Sequence, residues 1–274
     1  SDRIPEDWPD LLELADEVLV PSKWCADVFA EAGVKTTVVP LGYNHHMFEY
    51  IERKVPVEEG KPFTFIHYNS FNIRKGFFEV FEAFNEEFKH NEPVKLILKS
   101  TDRKPPLPII PSIYPNIEVV CESLPEPELH RLLERANCMV YPSRGEGFGI
   151  TPLEAMATGL PAIVPNAHGI SEYFNPNYML EVKVKEKCPA LYTRYKDQDV
   201  GKMVVCDVDD LRKQMRYAYN HQVEMKELGK AASEYVKGYT YSRTADRLAA
   251  IIEKWEKAEV VKRGDSKYLQ VERV

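Results

Sequence analysis

The chain has 274 residues, 44% apolar and 29% charged, which excludes a disordered or fibrous protein and gives length for about two domains with a sizeable core. Its 36 basic against 43 acidic residues leave a net charge of −7, so no general field draws polyanions and nucleic acid is not an expected partner. No apolar run approaches the roughly 20 residues that span a bilayer, and no stretch reads as a signal peptide.

The five cysteines, Cys25, Cys121, Cys138, Cys188 and Cys206, lie far apart and lack the close spacing of a zinc or redox pair. Cys138 and Cys206 sit inside apolar runs, where a thiol behaves as a small hydrophobe. A reducing cytoplasm is the expected location. The sequence starts at Ser1 without a Met, which leaves room for a longer parent chain.

Taken in order, strands are expected at Glu17 to Val20, Thr36 to Pro40, Phe63 to Tyr68, Val94 to Lys99, Ile117 to Cys121, Cys138 to Tyr141, Pro161 to Val164 and Met203 to Cys206. Several are apolar on both faces, as strands of a buried parallel sheet are. Helical stripes alternate with them: Lys23 to Gly33, then Phe77, Phe81, Phe84 and Phe88, then Leu129, Leu132, Leu133 and Ala136. Such alternation predicts an α/β fold, a doubly wound parallel sheet with helices on both faces. Thr101 to Pro115, with five prolines, reads as a loop, and Asn175 to Lys202 as a long polar excursion carrying Lys183, Lys185, Lys187, Arg194 and Lys196. Ala245, Leu248, Ala249, Ile252 and Trp255 follow at helical spacing, and Lys262 to Val274 reads as a charged tail.

The most informative stretch runs from Pro142 to Pro161 and contains Ser-Arg-Gly-Glu-Gly-Phe-Gly-Ile-Thr-Pro-Leu-Glu. It follows a strand, at the carboxyl edge where open α/β sheets bind ligands. Gly145, Gly147 and Gly149 allow close backbone approach. The helix opening behind them points free amides and a positive dipole end into the loop, the features of a diphosphate site. Glu146 and Glu154 flank it and have the chemistry to accept from sugar hydroxyls. Thr151-Pro-Leu-Glu154 also fits a capping box with proline at the first helical position, so a purely structural Glu154 stays open. Between the strand ending at Tyr68 and the phenylalanine-rich helix lies Asn69-Ser-Phe-Asn-Ile-Arg-Lys-Gly76. Arg74 and Lys75 there oppose the helix dipole, which suits an expected anion, or simply a solvated turn.

With Gly-Phe-Gly between them and Glu-Ala-Met-Ala after, Glu146 and Glu154 resemble the E-x7-E signature of retaining glycosyltransferases of the GT-B fold, glycosyltransferase family 4-like, group 1. The order of elements from about Pro40 to Trp255 extends the likeness well beyond a Gly-rich loop. The resemblance implies that Glu146 meets the donor sugar, Glu154 the ribose hydroxyls, and backbone amides of Phe148, Gly149, Ile150 and Thr151 the sugar and diphosphate. It places a Lys-Gly pair, matched by Lys75 and Gly76, on the leaving diphosphate. Ser70 and its neighbours stand where the family carries an Arg, leaving adjacent Arg74 as the substitute. Ser100 and Leu124 fall where the base is read, and Asn166 to Glu172 resembles the family's glycine-rich turn, with Gly169 beside the sugar and His168 a loop residue.

The same resemblance divides the chain into residues 1–44, the end of an acceptor-side domain and its linker; 45–240, a nucleotide-sugar donor domain; and 241–274, a closing helix and tail. His45 and His46 fall in the linker and, lacking acidic or thiol neighbours, make a poor metal site. The implied activity is transfer of a sugar, with retention, from a nucleotide-diphosphate sugar to an unidentified acceptor hydroxyl, without an obligatory metal or cofactor. A sugar-nucleotide epimerase or a silent binding module of the same fold stays open. Because few strands of the first domain are present, Trp8, Leu11, Leu12, Val18, Val20, Trp24, Val28 and Phe29 are expected to pack on the C-terminal helix around Trp255, on a second copy or on a separate subunit.

Overall fold

Phe63–Tyr68 (β3) and Val94–Ser100 (β4) carry apolar side chains on both faces, and a computed structural model, which describes residues 1–190, 192, 195 and 198–257, puts both strands inside a parallel sheet. That sheet has the order β5-β4-β3-β6-β7-β8, with Ile117–Cys121 as β5, Cys138–Val140 as β6, Ala162–Val164 as β7 and Leu180–Glu181 as β8. The chain builds outward from β3 to β5 and then returns to lay β6 on the other side of β3. The switch between β3 and β6 opens a crevice at their carboxyl ends.

Helices cover both faces, as the alternation predicts. On one, Phe77, Val80 and Phe84 of Phe77–Glu87 (α3) join Leu211 and Met215 of Val208–Asn220 (α6) over Phe65 and Leu96. On the other, Leu129 and Leu133 of Glu126–Glu134 (α4), Leu153 and Met156 of Ile150–Ala157 (α5) and Ala232 of Gln222–Tyr235 (α7) close over Ile66 and Ile97.

Arg53 links that second layer. It is buried, and its guanidinium donates to the carbonyls of Leu133 and Thr158, each at 2.7 Å, and of Ala136 at 3.1 Å. These carbonyls lie at or just beyond the ends of α4 and α5, where helix carbonyls run out of intrahelical donors; Leu133 and Thr158 also accept from the Ala136 and Ile51 amides. Burial lowers the Arg53 guanidinium to about 10.

The structure corrects the sequence reading in one region. Lys202–Cys206 (β10) is not part of the parallel sheet; it pairs antiparallel with Val184–Pro189 (β9). The expected excursion therefore contains β8 and a ribbon strand. Exposed Lys, Glu and Lys dominate β9, so it has no apolar pattern to announce it. Arg194 and Lys196 of that excursion lie outside the described residues, as does the tail from Lys262 to Val274.

The first 44 residues form a small layer: Trp8–Leu12 (α1), Leu19–Val20 (β1), Lys23–Glu31 (α2) and Thr37–Val38 (β2), with β1 and β2 paired in parallel. Ser22 caps α2 by accepting from the Cys25 amide. α2 sits on the turn His168–Glu172: the Lys23 amide donates to Glu172 at 2.7 Å and Trp24 stands edge-on to His168. Tyr241–Lys257 (α8) meets this layer through Thr244 on the Pro40 carbonyl and Trp255 on Glu17. Ile252 and Trp255 remain 58% and 44% exposed. No helix among the described residues is long and apolar enough to cross a membrane.

Candidate functional site

The crevice between β3 and β6 brings together two loops that lie far apart in sequence. After β3, Asn72 caps a 3-10 turn, Ile73–Lys75, by accepting from the Lys75 amide, and Gly76 (φ 77°) then turns the chain into α3. A Cβ on Gly76 would lie 2.4 Å from the Pro142 carbonyl, so glycine is what lets this turn press against the loop after β6. The Arg144 amide completes the junction by donating to the Arg74 carbonyl at 2.7 Å.

Glu146 lies at the centre. Its Oε1 accepts from Lys75 Nζ at 2.7 Å, Ser143 Oγ at 2.7 Å and the Tyr141 hydroxyl at 2.9 Å. Its Oε2 faces the Arg74 guanidinium at 3.4 Å. The carboxylate side chain is 9% exposed. Burial works to raise its pKa, but Lys75 and Arg74, helped by Ser143, outweigh burial and hold it below the ordinary carboxylate range. Burial pulls the Lys75 ammonium downward against the pull of Glu146. The Tyr141 phenol is pushed well up, by burial and then by Glu146, so it stays a proton donor to the carboxylate.

Gly149, at φ 85°, forms the N-cap of α5, and Ile150 and Thr151 open the helix. The helix thus starts one residue before the expected capping box, and Thr151 does not cap it. Glu154 has no structural capping role here. Its carboxyl is pushed up to about 7 by burial. Phe148 turns its side chain into the core, 5.4 Å from the Tyr173 ring, so only its backbone is offered to the loop.

Ser70 accepts from Asn72 Nδ2 at 2.7 Å beside the cationic turn. Ser100, at the end of β4, is buried and donates to Asp102 at 2.9 Å. Leu124, past β5, is half-buried against the second-layer core. The structure therefore brings Arg74, Lys75 and Glu146 into contact and leaves Ser100 and Leu124 further along the same sheet edge.

Several participants carried no assigned role in the sequence reading. Ser143 and Tyr141 hold Glu146, and His168 supports Ser143 by placing Nε2 2.9 Å from its carbonyl. His168 is buried, takes the left-handed conformation (φ 46°), and is lowered to about 4 by burial. Gly169 has no room for a Cβ because the Gly147 carbonyl would lie 2.1 Å away, and its amide donates to the Glu146 carbonyl at 2.9 Å. Its glycine character is thus required by contact with the glycine loop. Residues from the first layer close the other side: Ser22 Oγ and Cys25 Sγ both reach the Gly147 carbonyl. A cavity of about 880 Å³ lies between them, bordered by Trp8, Trp24 and Phe29 opposite Arg74 and Glu146. Among the described residues no group of three or more His, Cys, Asp or Glu is placed to hold a metal ion.

A doubly wound parallel sheet with a glycine loop and paired cations at its switch point is an open α/β fold, and solved structures similar to it are glycosyltransferases of the GT-B architecture. Sucrose-phosphate synthase from Thermosynechococcus elongatus superimposes with a TM-score of 0.69 at 19% identity, over 91% of this chain and 61% of that one. Anabaena Alr3699/HepE in complex with UDP and glucose does so with a TM-score of 0.66 at 14% identity, over 89% and 65%. Residues 49–187 match the family model for glycosyl transferases group 1, and the chain belongs to that family. A curated relative, a putative glycosyltransferase (ORF313) of Acidianus filamentous virus 1, is 28% identical over 229 residues, which is 80% of this chain and 65% of the relative. The chain thus spans about two thirds of the relative's length.

Proposed function

We propose that the chain supplies the donor site of a retaining glycosyltransferase, moving a sugar from a nucleotide-diphosphate sugar to an acceptor hydroxyl. The observation that carries this reading is the convergence of Lys75 and Arg74 on Glu146 in front of the amides that open α5. Two cations and a helix N-terminus suit a diphosphate, and a carboxylate beside them suits the hydroxyls of the attached sugar.

In this reading the anomeric carbon–phosphate bond breaks and its electrons pass to the diphosphate. Lys75 and Arg74 stabilise that growing charge, with the amides of Gly149, Ile150 and Thr151. The acceptor hydroxyl attacks from the same face and gives its proton to the leaving phosphate. Glu146 orients the sugar through Oε2, since the hydroxyls of Ser143 and Tyr141 hold Oε1. Glu154 takes ribose hydroxyls, while Ser70, Ser100 and Leu124 border the nucleotide. The positive charge comes from the protein, so a divalent metal is not obligatory.

Residues 1–44 are read as the end of the acceptor-side domain, 45–240 as the donor domain and 241–274 as its closing helix and tail. Acceptor binding then needs the rest of the first domain, whether in a longer chain, a second copy or a separate subunit. The five free cysteines suit a cytoplasmic setting. Incubation of the purified chain with UDP-, GDP- and ADP-sugars in chelator tests the reading. Slow release of nucleoside diphosphate from one of them, with little transfer to added acceptors, is expected. No release and no binding of any of the three would contradict it.

A further inference from the structure

We infer that in the free protein Glu146 is a stand-in for the ligand's phosphate: it holds Lys75 and Arg74 as counter-ions until an anionic ligand takes them over. This rests on the anion-site reading above. Among the described residues neither cation pairs with any other carboxylate. The side chains of Lys75 and Glu146 are 14% and 9% exposed, and breaking a buried pair to leave one charge alone is strongly unfavourable. The cations are therefore released to another anion far more readily than to water.

Glu146 is equipped to survive the exchange. When Lys75 turns away, Oε1 keeps the hydroxyls of Ser143 and Tyr141 at 2.7 and 2.9 Å. What it lacks is a partner for Oε2, whose contact with Arg74 is the long one at 3.4 Å. A sugar hydroxyl still joined to the diphosphate supplies that partner; a bare diphosphate does not. Glu146 thus disfavours the product diphosphate relative to the intact donor, using repulsion and an unpaired oxygen to discriminate. The carboxylate promotes product release as well as orienting the sugar.

The test compares inorganic pyrophosphate binding by the full chain and by Glu146→Gln, in chelator, by calorimetry and by the melting-temperature gain that pyrophosphate produces. Removing the competing carboxylate is expected to tighten pyrophosphate by about tenfold or more and to enlarge that gain. The double variant Lys75→Ala/Glu146→Gln should lose the advantage. Glu146→Ala serves the same comparison if the amide disturbs folding. Equal or weaker pyrophosphate binding without the carboxylate, in chains whose binding still depends on Lys75, overturns the inference and leaves the anion site standing. Binding that ignores Lys75 altogether overturns both.

Discussion

Ser22 donates its hydroxyl to the carbonyl of Gly147 at 2.8 Å, joining the first layer of the chain to the glycine loop across 125 residues. The same oxygen accepts from the Cys25 amide at 3.2 Å as the cap of α2. Ser22→Ala removes both, at a cost of about 1–2 kcal/mol. A melting temperature lower by a few degrees, with faster amide exchange in the glycine loop, is expected. An unchanged exchange pattern would mean that the first layer does not brace the loop.

Glu154 links a stability change to a binding change of opposite sign. Burial raises its carboxyl to about 7, so the folded protein holds its proton where the unfolded chain has already lost it. Stability therefore falls as pH rises from the ordinary carboxylate range through 7. Glu154→Gln should melt higher than wild type at pH 8 and level with it near pH 4.5. At pH 8 it should also bind nucleoside diphosphate more weakly by about 1–3 kcal/mol, the loss of a charged hydrogen bond to ribose. A lower melting temperature at pH 8 would restore a structural role for this carboxylate.

Lys75 and Arg74 should separate kinetically. Lys75 makes the short contact to Glu146, whereas Arg74 also donates to the Gly145 carbonyl at 2.7 Å. Charge on the leaving phosphate grows towards the transition state, so Lys75→Ala should lower the rate of donor cleavage more than donor affinity. Arg74→Ala should loosen the glycine loop and affect both. Equal effects of the two substitutions on rate and affinity would remove the distinction.

Arg53 offers a stability test away from the crevice. Arg53→Met removes the charged donor shared by the carbonyls of Leu133, Ala136 and Thr158 and leaves Leu133 and Thr158 with only the Ala136 and Ile51 amides; hydrogen bonds to a charged group are worth about 1.5–3 kcal/mol. Urea unfolding should shift to clearly lower concentration. A midpoint equal to wild type would show that water replaces the guanidinium.

What the sequence made legible was local. β3 and β6 announce themselves by apolar residues on both faces and β4 by the run Leu96-Ile97-Leu98, and glycines with Glu146 after one strand and Lys75-Gly76 after another mark the crevice. What it concealed depends on distant parts of the chain meeting. Ser22 reaches Gly147, and His168 reaches Ser143, only because α2 and the turn at 168–172 fold back over the loop. The Tyr141 hydroxyl is likewise hidden in a residue that reads as the end of a strand. The helix opens directly behind Gly149, as the glycine loop implies, and the alternative capping box at Thr151 is excluded because Gly149, at φ 85°, caps α5 without a side chain. β9 is charged and exposed, so its pairing with β10 leaves no periodic signal.

The proposed donor site is a metal-independent diphosphate site built on Lys75. It is tested most directly by calorimetric titration of UDP, GDP and ADP into the wild-type chain and into Lys75→Ala, with chelator present throughout. At least one nucleoside diphosphate is expected to bind the wild type in chelator, and Lys75→Ala to weaken it by about 1.5–3 kcal/mol, the worth of a hydrogen bond to a charged group. No heat with any of the three, or binding that Lys75→Ala leaves intact, would contradict it.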